Sequence, residues 1–143
     1  MGEREKIFPS VGAVVFRGDE VLLVRRGREP LKGHWSIPGG KVQFGEALAD
    51  AVAREVREET QIEINVLGLL DVFESLPQAD GDRHYLMIDY VAEWVSGEPL
   101  AGDDADAAEF VSFKEAQNRL SWDLTRKALD RAAAFRGGFR RPS

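Results

Sequence analysis

The hydrophobic and polar positions alternate in blocks that mark out most of the elements. Val11 to Phe16 and Val21 to Val24 are apolar, β-rich runs either side of Arg17-Gly18-Asp19-Glu20, and predict a hairpin. Arg25 to Gly33 is basic and broken by Gly27, Pro30 and Gly33, which predicts a loop. Trp35 to Ile37 reads as a short strand ended by Pro38-Gly39-Gly40, the sharpest break in the chain. Ala47 to Thr60 is alanine-rich without Gly or Pro and predicts a helix. Ile62 to Ser75 and His84 to Trp94 predict strands joined by the polar turn Gln78 to Asp82. Gly97 to Asp106 predicts an acidic loop, Phe110 to Phe113 a short strand, and Lys114 to Leu120 and Leu124 to Phe135 two helices. The basic end, residues 136–143, is expected to fray. Strands interleaved with three helices fit an α/β or α+β sandwich. No repeat, low-complexity tract or linker interrupts residues 1–143, so one domain is expected.

The phase of the central helix carries chemistry. With Leu48 at zero and ~100° per residue, Leu48, Ala49, Val52, Ala53 and Val56 fall between about 0° and 140°, the side expected to pack on the sheet. Asp50, Arg54 and Arg57 fall on the opposite, water-facing side. Glu55, Glu58 and Glu59 lie at roughly 340°, 280° and 20°, at the border of the buried face. A solvated charge run is the alternative reading. Its weakness is position: three acids crowd a helix C-terminus, where the macrodipole disfavours negative charge by ~0.3–1 kcal/mol each at exposed sites. A hard dication such as Mg²⁺, which takes carboxylate oxygens and substrate phosphates, accounts for them.

Composition narrows the remaining classes. A hydrophobic share of 43% and a charged share of 31% describe a soluble globule. With no cysteine and two histidines, disulfide scaffolds, Cys nucleophiles and structural zinc are excluded. No apolar run approaches the roughly 20 residues of a membrane span. The opening Met-Gly-Glu-Arg-Glu-Lys is too charged for a signal peptide, so a cytoplasmic location is expected. A net charge of −6 argues against polymeric nucleic acid. It argues equally against phosphate ligands until a bound dication, which would invert the local field, is considered.

Gly40, Glu46 and Arg54-Glu55-Val56-Arg57-Glu58-Glu59-Thr60-Gln61-Ile62 resemble the box of the Nudix hydrolase superfamily, residues 40–62 here. Every defined position matches except Gln61, where the family has glycine, suited to a left-handed helix cap. Val11 to Val15, Leu22 to Arg26, Trp35 to Gly40 and Pro99 to Phe113 are similar to the same family outside the box, and the subgroup most resembled is the short bacterial ADP-ribose pyrophosphatases. The resemblance implies an α/β/α sandwich with a mixed sheet between helices. It implies a metal-dependent pyrophosphohydrolase acting on the P–O–P bridge of a nucleoside diphosphate linked to another moiety, ADP-ribose or a related nucleotide sugar. A nucleoside triphosphate pyrophosphatase and a nucleotide-binding regulatory module are the alternatives. It further implies Mg²⁺, with Mn²⁺ as a substitute, a small nucleotide as partner, and a monomer or homodimer. By the family pattern Glu55, Glu58 and Glu59 bind metal with the Gly39 carbonyl, Glu58 otherwise takes the proton of the attacking water, and Arg54 orients Glu55. The acidic loop is expected to add Asp104, with Asp103 and Asp106 as alternatives.

Outside the box, Arg25, Arg26, Arg28 and Lys32 beside Trp35 suggest a phosphate or ribose-phosphate contact, against a solvated loop as the plain alternative. His84 is a further substrate candidate, and Phe8, Phe73 and Tyr85 are candidates for stacking on a base. Trp94, Phe113, Trp122 and Phe135 read as packing residues, and Glu46 as a helix-dipole residue.

Overall fold

The computed structural model describes residues 6–29 and 31–139. Its strands are β1 (Ile7–Arg17), β2 (Glu20–Arg26), β3 (Trp35–Ser36), β4 (Gly39–Lys41), β5 (Glu63–Ser75), β6 (His84–Ser96) and β7 (Ala105–Ser112). Its helices are α1 (Leu48–Thr60), α2 (Phe113–Arg119) and α3 (Asp123–Phe139). The strands form one mixed sheet in the order β3-β2-β1-β6-β5, with β4 added on β1 and β7 on β2. Among the described strands only β1 and β6 run parallel, in register from Ile7↔His84 to Phe16↔Glu93.

The near-continuous apolar run of β1 marks a strand covered on both faces. Val11, Ala13 and Val15 pack with Ala51, Val52 and Val56 of α1. Val14 and Phe16 pack with Ala116 of α2 and Ala128, Leu129 and Ala132 of α3. The sheet therefore lies between helices, as the expected sandwich requires. None of the helices in the described residues is long and apolar enough to cross a membrane.

Tertiary pairing revises several boundaries. The expected hairpin pairs only at its turn, Phe16↔Val21 and Arg17↔Glu20. Further along, β4 pairs with β1 while β2 pairs with β3 and β7. Arg25 and Arg26 thus belong to a strand rather than to the basic loop. Gly39 and Gly40, read as a break, hydrogen-bond as a strand because β1 offers them an edge. β7 begins at Ala105 rather than Phe110, so Asp106 is a strand residue; the ladder with β2 overrides the low strand propensity of Ala107 and Ala108. α3 continues beyond the expected helix end at Phe135, to Phe139. Arg136 lies over the Phe16 ring and donates to the Gly18 carbonyl, which ties that turn to the sheet. Arg140 and Arg141 lie outside the described residues.

The buried face of α1 is also rotated from the expected one. Ala51, Val52, Val56 and Thr60 are fully buried, whereas Leu48 and Ala49 of the first turn are exposed. The rotation carries Glu55 and Glu59 inward. At the other end Gln61 adopts the left-handed conformation that the family's glycine would supply, with φ 64° and ψ 17°, and its N–H donates to the Arg57 carbonyl. A side chain in that conformation is strained by roughly 1 kcal/mol. Gln61→Gly is accordingly expected to raise stability by about 0.5–1 kcal/mol, read as a higher urea midpoint at unchanged slope.

Candidate functional site

The close approach of α1 to β4 creates the site, and glycine permits it. A methyl group added at Gly40 would sit 2.2 Å from Glu55 Oε2, and one at Gly39 would sit 2.1 Å from the Val11 carbonyl oxygen. With no side chain at either position, the Gly39 N–H donates to Glu59 Oε1 at 2.7 Å. The acidic loop then folds over the end of α1 and satisfies its last carbonyls. Leu100 N–H donates to the Thr60 carbonyl at 3.0 Å and Gly102 N–H to that of Glu59 at 2.9 Å. Asp103 and Asp104 are thereby brought to the same opening.

These pieces line a cavity of about 470 Å³, large enough for a nucleotide. Glu55 and Glu59 of α1, Arg26 of β2 and Lys41 of β4 form part of its wall. Tyr85, Met87 and Asp89, alternate residues of β6, share the face turned toward it. Trp122, Leu124 and Thr125, around the start of α3, close another side.

Arg54 organises the carboxylates. Its Nε and Nη2 donate to the two oxygens of Glu46 at 2.7 and 2.9 Å, a bidentate pair. Nη1 donates to both Glu55 and Glu58 at 2.8 Å, and Nη2 also reaches the Lys41 carbonyl. Arg54 is therefore not the water-facing residue of the helical wheel, for its side chain is only 18% exposed. Glu46 is its partner as well as a helix-dipole residue, and the Arg54 hydrogen bond holds the Glu46 carboxyl below its ordinary value.

Burial dominates the two α1 acids that face the cavity. It pushes Glu59 up to about 7, against the pull of the Gly39 N–H, with the charges of Glu55 and Asp104 adding and that of Arg26 opposing. Burial likewise raises Glu55, partly offset by Arg54 and reinforced by Glu58 and Asp103. Four acids crowd one rim, and every donor in the set is a hard oxygen. That chemistry fits a small divalent cation, whose charge would relieve the repulsion. As the side chains stand, no three of the described His, Asp or Glu residues are gathered around a single metal position. Arg54 draws Glu55 and Glu58 toward itself, while Glu59 leans on Gly39.

The structure separates the other sequence candidates. Glu58 is the most exposed of the three box acids at 41% and is held by Arg54 outside the cavity lining. Asp106 is paired with Arg25 at 2.6 Å on the neighbouring strand, and Asp104 with Arg28 at 2.9 Å. Of the substrate candidates Arg25, Arg26, Trp35 and His84, only Arg26 lines the cavity. Trp35 is flanked by the guanidinium groups of Arg25 and Arg119. His84 lies 3.6 Å from Glu74 at the outer end of β6. Among the aromatics, Phe73 is core, Phe8 packs on Tyr85, and Tyr85 reaches the cavity. Trp122, read as packing, is a lining residue instead.

Asp89 was missed altogether. It is 4% exposed, and burial alone pushes it up to about 7. The signal was present as a lone acid in the apolar run Tyr85 to Val91, in phase with Met87 and Val91. Because the folded state holds this proton more tightly than the unfolded chain, the stability it contributes is present at acid pH and lost as pH rises from about 4 toward 7. Asp89→Asn is expected to remove that loss. Its advantage in thermal midpoint over the wild type should be small at pH 4.5 and reach the equivalent of a few kcal/mol at pH 8.

The chain is similar to known proteins. An ADP-ribose pyrophosphatase from Methanocaldococcus jannaschii is 39% identical over 114 residues, covering 80% of this chain and 66% of that protein. The NAD-capped RNA hydrolase NudC of Pseudomonas aeruginosa is 38% identical over 139 residues, covering 96% of this chain and 48% of that protein. The chain thus spans from about half to two thirds of the length of these curated relatives. The crystal structure of a MutT NUDIX hydrolase from Burkholderia pseudomallei superposes with a TM-score of 0.76 at 32% identity, covering 89% of this chain and 98% of that one. With the NUDIX domain matched over residues 6–132, and the box glutamates set against the glycines that make room for them, the chain belongs to the NUDIX domain family.

Proposed function

We propose that this protein is a divalent-metal-dependent pyrophosphohydrolase that cleaves the P–O–P bridge of a nucleoside diphosphate linked to another moiety, ADP-ribose or a related nucleotide sugar. The observation that carries the reading is the pair Glu55 and Glu59, two acids with raised proton affinity on the wall of a nucleotide-sized cavity. Glu55, Glu58, Glu59, the Gly39 carbonyl and Asp104 would hold Mg²⁺, or Mn²⁺ in its place. The bound ion would supply charge screening for the polyanion and stabilisation of the leaving oxygen. Arg26 and Lys41, which line the same cavity, bind and orient the phosphates. Water attacks one phosphorus, the bridging P–O bond breaks, and the displaced phosphate departs. Glu58 or Glu59 takes the proton of that water, and Arg54 holds Glu55 and Glu58 in place through its forked hydrogen bonds.

The names of the relatives support this choice of bond. ADP-ribose and an NAD cap are both dinucleotide-like diphosphates, so the two named substrates share the P–O–P link. The net charge of −6 favours a small nucleotide over a long RNA. We place the protein in the cytoplasm, where such substrates are found.

Purified protein with Mg²⁺ should convert ADP-ribose to AMP and ribose phosphate, and EDTA should abolish turnover. Release of inorganic pyrophosphate from triphosphates, with ADP-ribose untouched, would instead assign the triphosphate activity. Tight binding without turnover in either metal would assign the regulatory module. Glu55→Gln and Glu59→Gln are each expected to lower kcat about 100-fold or more with the fold retained, as expected when a charge-stabilising contact is removed. Gly40→Ala should act in the same direction by displacing Glu55, whose carboxyl occupies the space of the new methyl. Unchanged hydrolysis in both glutamine variants would overturn the reading.

A further inference from the structure

Asp89 lies mid-strand in β6, on the face that carries Tyr85 and Met87 toward the cavity and Val91 toward the core. No hydrogen bond or ion pair to its carboxyl is found among the described residues, although the residue is 96% buried. A buried acid in an apolar wall is destabilising unless something compensates it. An aliphatic side chain would have completed the surface that Ile37, Met87 and Val91 form around it. Space for the carboxyl is built into the neighbouring strand. Gly12 pairs with Asp89, and a methyl group there would sit 2.7 Å from Asp89 Oδ1 and 3.3 Å from Ile37 Cδ1. A carboxyl given its own niche, unpaired, on a cavity wall is suited to a ligand group rather than to the fold.

The surroundings say which part of a ligand it meets. No ion pair to its carboxyl is found among the described residues, whereas the charge of Arg26 acts on Glu59 at the α1 end of the cavity. A lone acid repels phosphate, so the phosphates belong at the α1 end of the cavity, beside Arg26 and the carboxylates that would hold the dication. Tyr85 and Trp122 add flat aromatic surface to the remainder, suited to a planar ring.

We propose that Asp89 determines specificity by hydrogen-bonding an uncharged N–H or O–H donor on the nucleoside end of the ligand. The assignment rests on the nucleotide reading above. The donor belongs either to the edge of the base or to a ribose hydroxyl. A polar group buried in a site discriminates far more strongly against analogues that lack its partner than an apolar wall does.

The test is equilibrium binding of AMP, GMP, CMP and UMP, and of their 2′-deoxy forms, none of which has a P–O–P bridge to cleave, with Mg²⁺ present, by calorimetry on the full chain. Wild type is compared with Asp89→Leu and Asp89→Asn, all verified as folded by thermal melting. The wild type should spread these ligands over about tenfold or more in Kd, and Asp89→Leu should compress the spread to within about threefold. Asp89→Asn, near-isosteric and carrying the test should the leucine variant fail to fold, should shift the preference to a different ligand, because an amide both donates and accepts. Sensitivity to base identity assigns the ring edge; sensitivity to the 2′-hydroxyl assigns the sugar. Equal spreads in wild type and both variants would overturn the role of Asp89 while leaving the nucleotide reading standing. Failure of the wild type to bind any of the eight would overturn that reading, and the role of Asp89 with it.

Discussion

The close contact of α1 with the β4 backbone is the constraint on which the site depends. Gly40 lets a helix carrying two inward acids lie against β4, and Gly39 lets β4 lie close on the β1 backbone. The contact places Glu55 against Gly40 and Glu59 within a hydrogen bond of Gly39. The last carbonyls of α1 then receive the acidic loop. A larger side chain at 40 would displace Glu55 from α1, and one at 39 would collide with the β1 backbone at Val11 and Gly12.

That geometry loads the cavity rim with acid, and the fold answers in two ways. Arg54 neutralises one side, gathering Glu46, Glu55 and Glu58 with a single guanidinium whose planar fork suits several carboxylates at once. Glu59, beyond its reach, stays buried with one N–H donor and a raised proton affinity. The protein's stability and its proposed chemistry therefore pull in opposite directions at this rim: groups that weaken the apo fold by burial and repulsion are those suited to a dication. Asp89 shows the same opposition at the nucleoside end, on the other face of the sheet.

Much of the fold was legible because the patterns are local. The helix Ala47 to Thr60 differs from α1 by one residue, and the β5 and β6 boundaries lie within two residues of those expected. The boundaries that shifted depend on partners distant in sequence. β4 exists because β1 offers it an edge, and β7 reaches back to Ala105 because β2 pairs with it that far. At the site, the box acids were legible from helical phase and spacing. Of the substrate candidates Arg26 and Tyr85 line the cavity and the others do not, since a basic or aromatic residue near the box in sequence need not face it. Arg25 turns to Asp106, Trp35 is held between Arg25 and Arg119, and Trp122 arrives from the other end of the chain.

By itself the sequence determined the phase of Glu55, Glu58 and Glu59 on one helix, the glycines ahead of it and the excess of acid. These follow from periodicity and from the conformations each residue type allows. Tertiary structure decided which acids are buried, which one Arg54 keeps near water, and which strand residues face the ligand. Burial and pairing are set by segments far apart in the chain, so the proton affinities of Glu59 and Asp89 existed nowhere until the sheet and helices had closed around them.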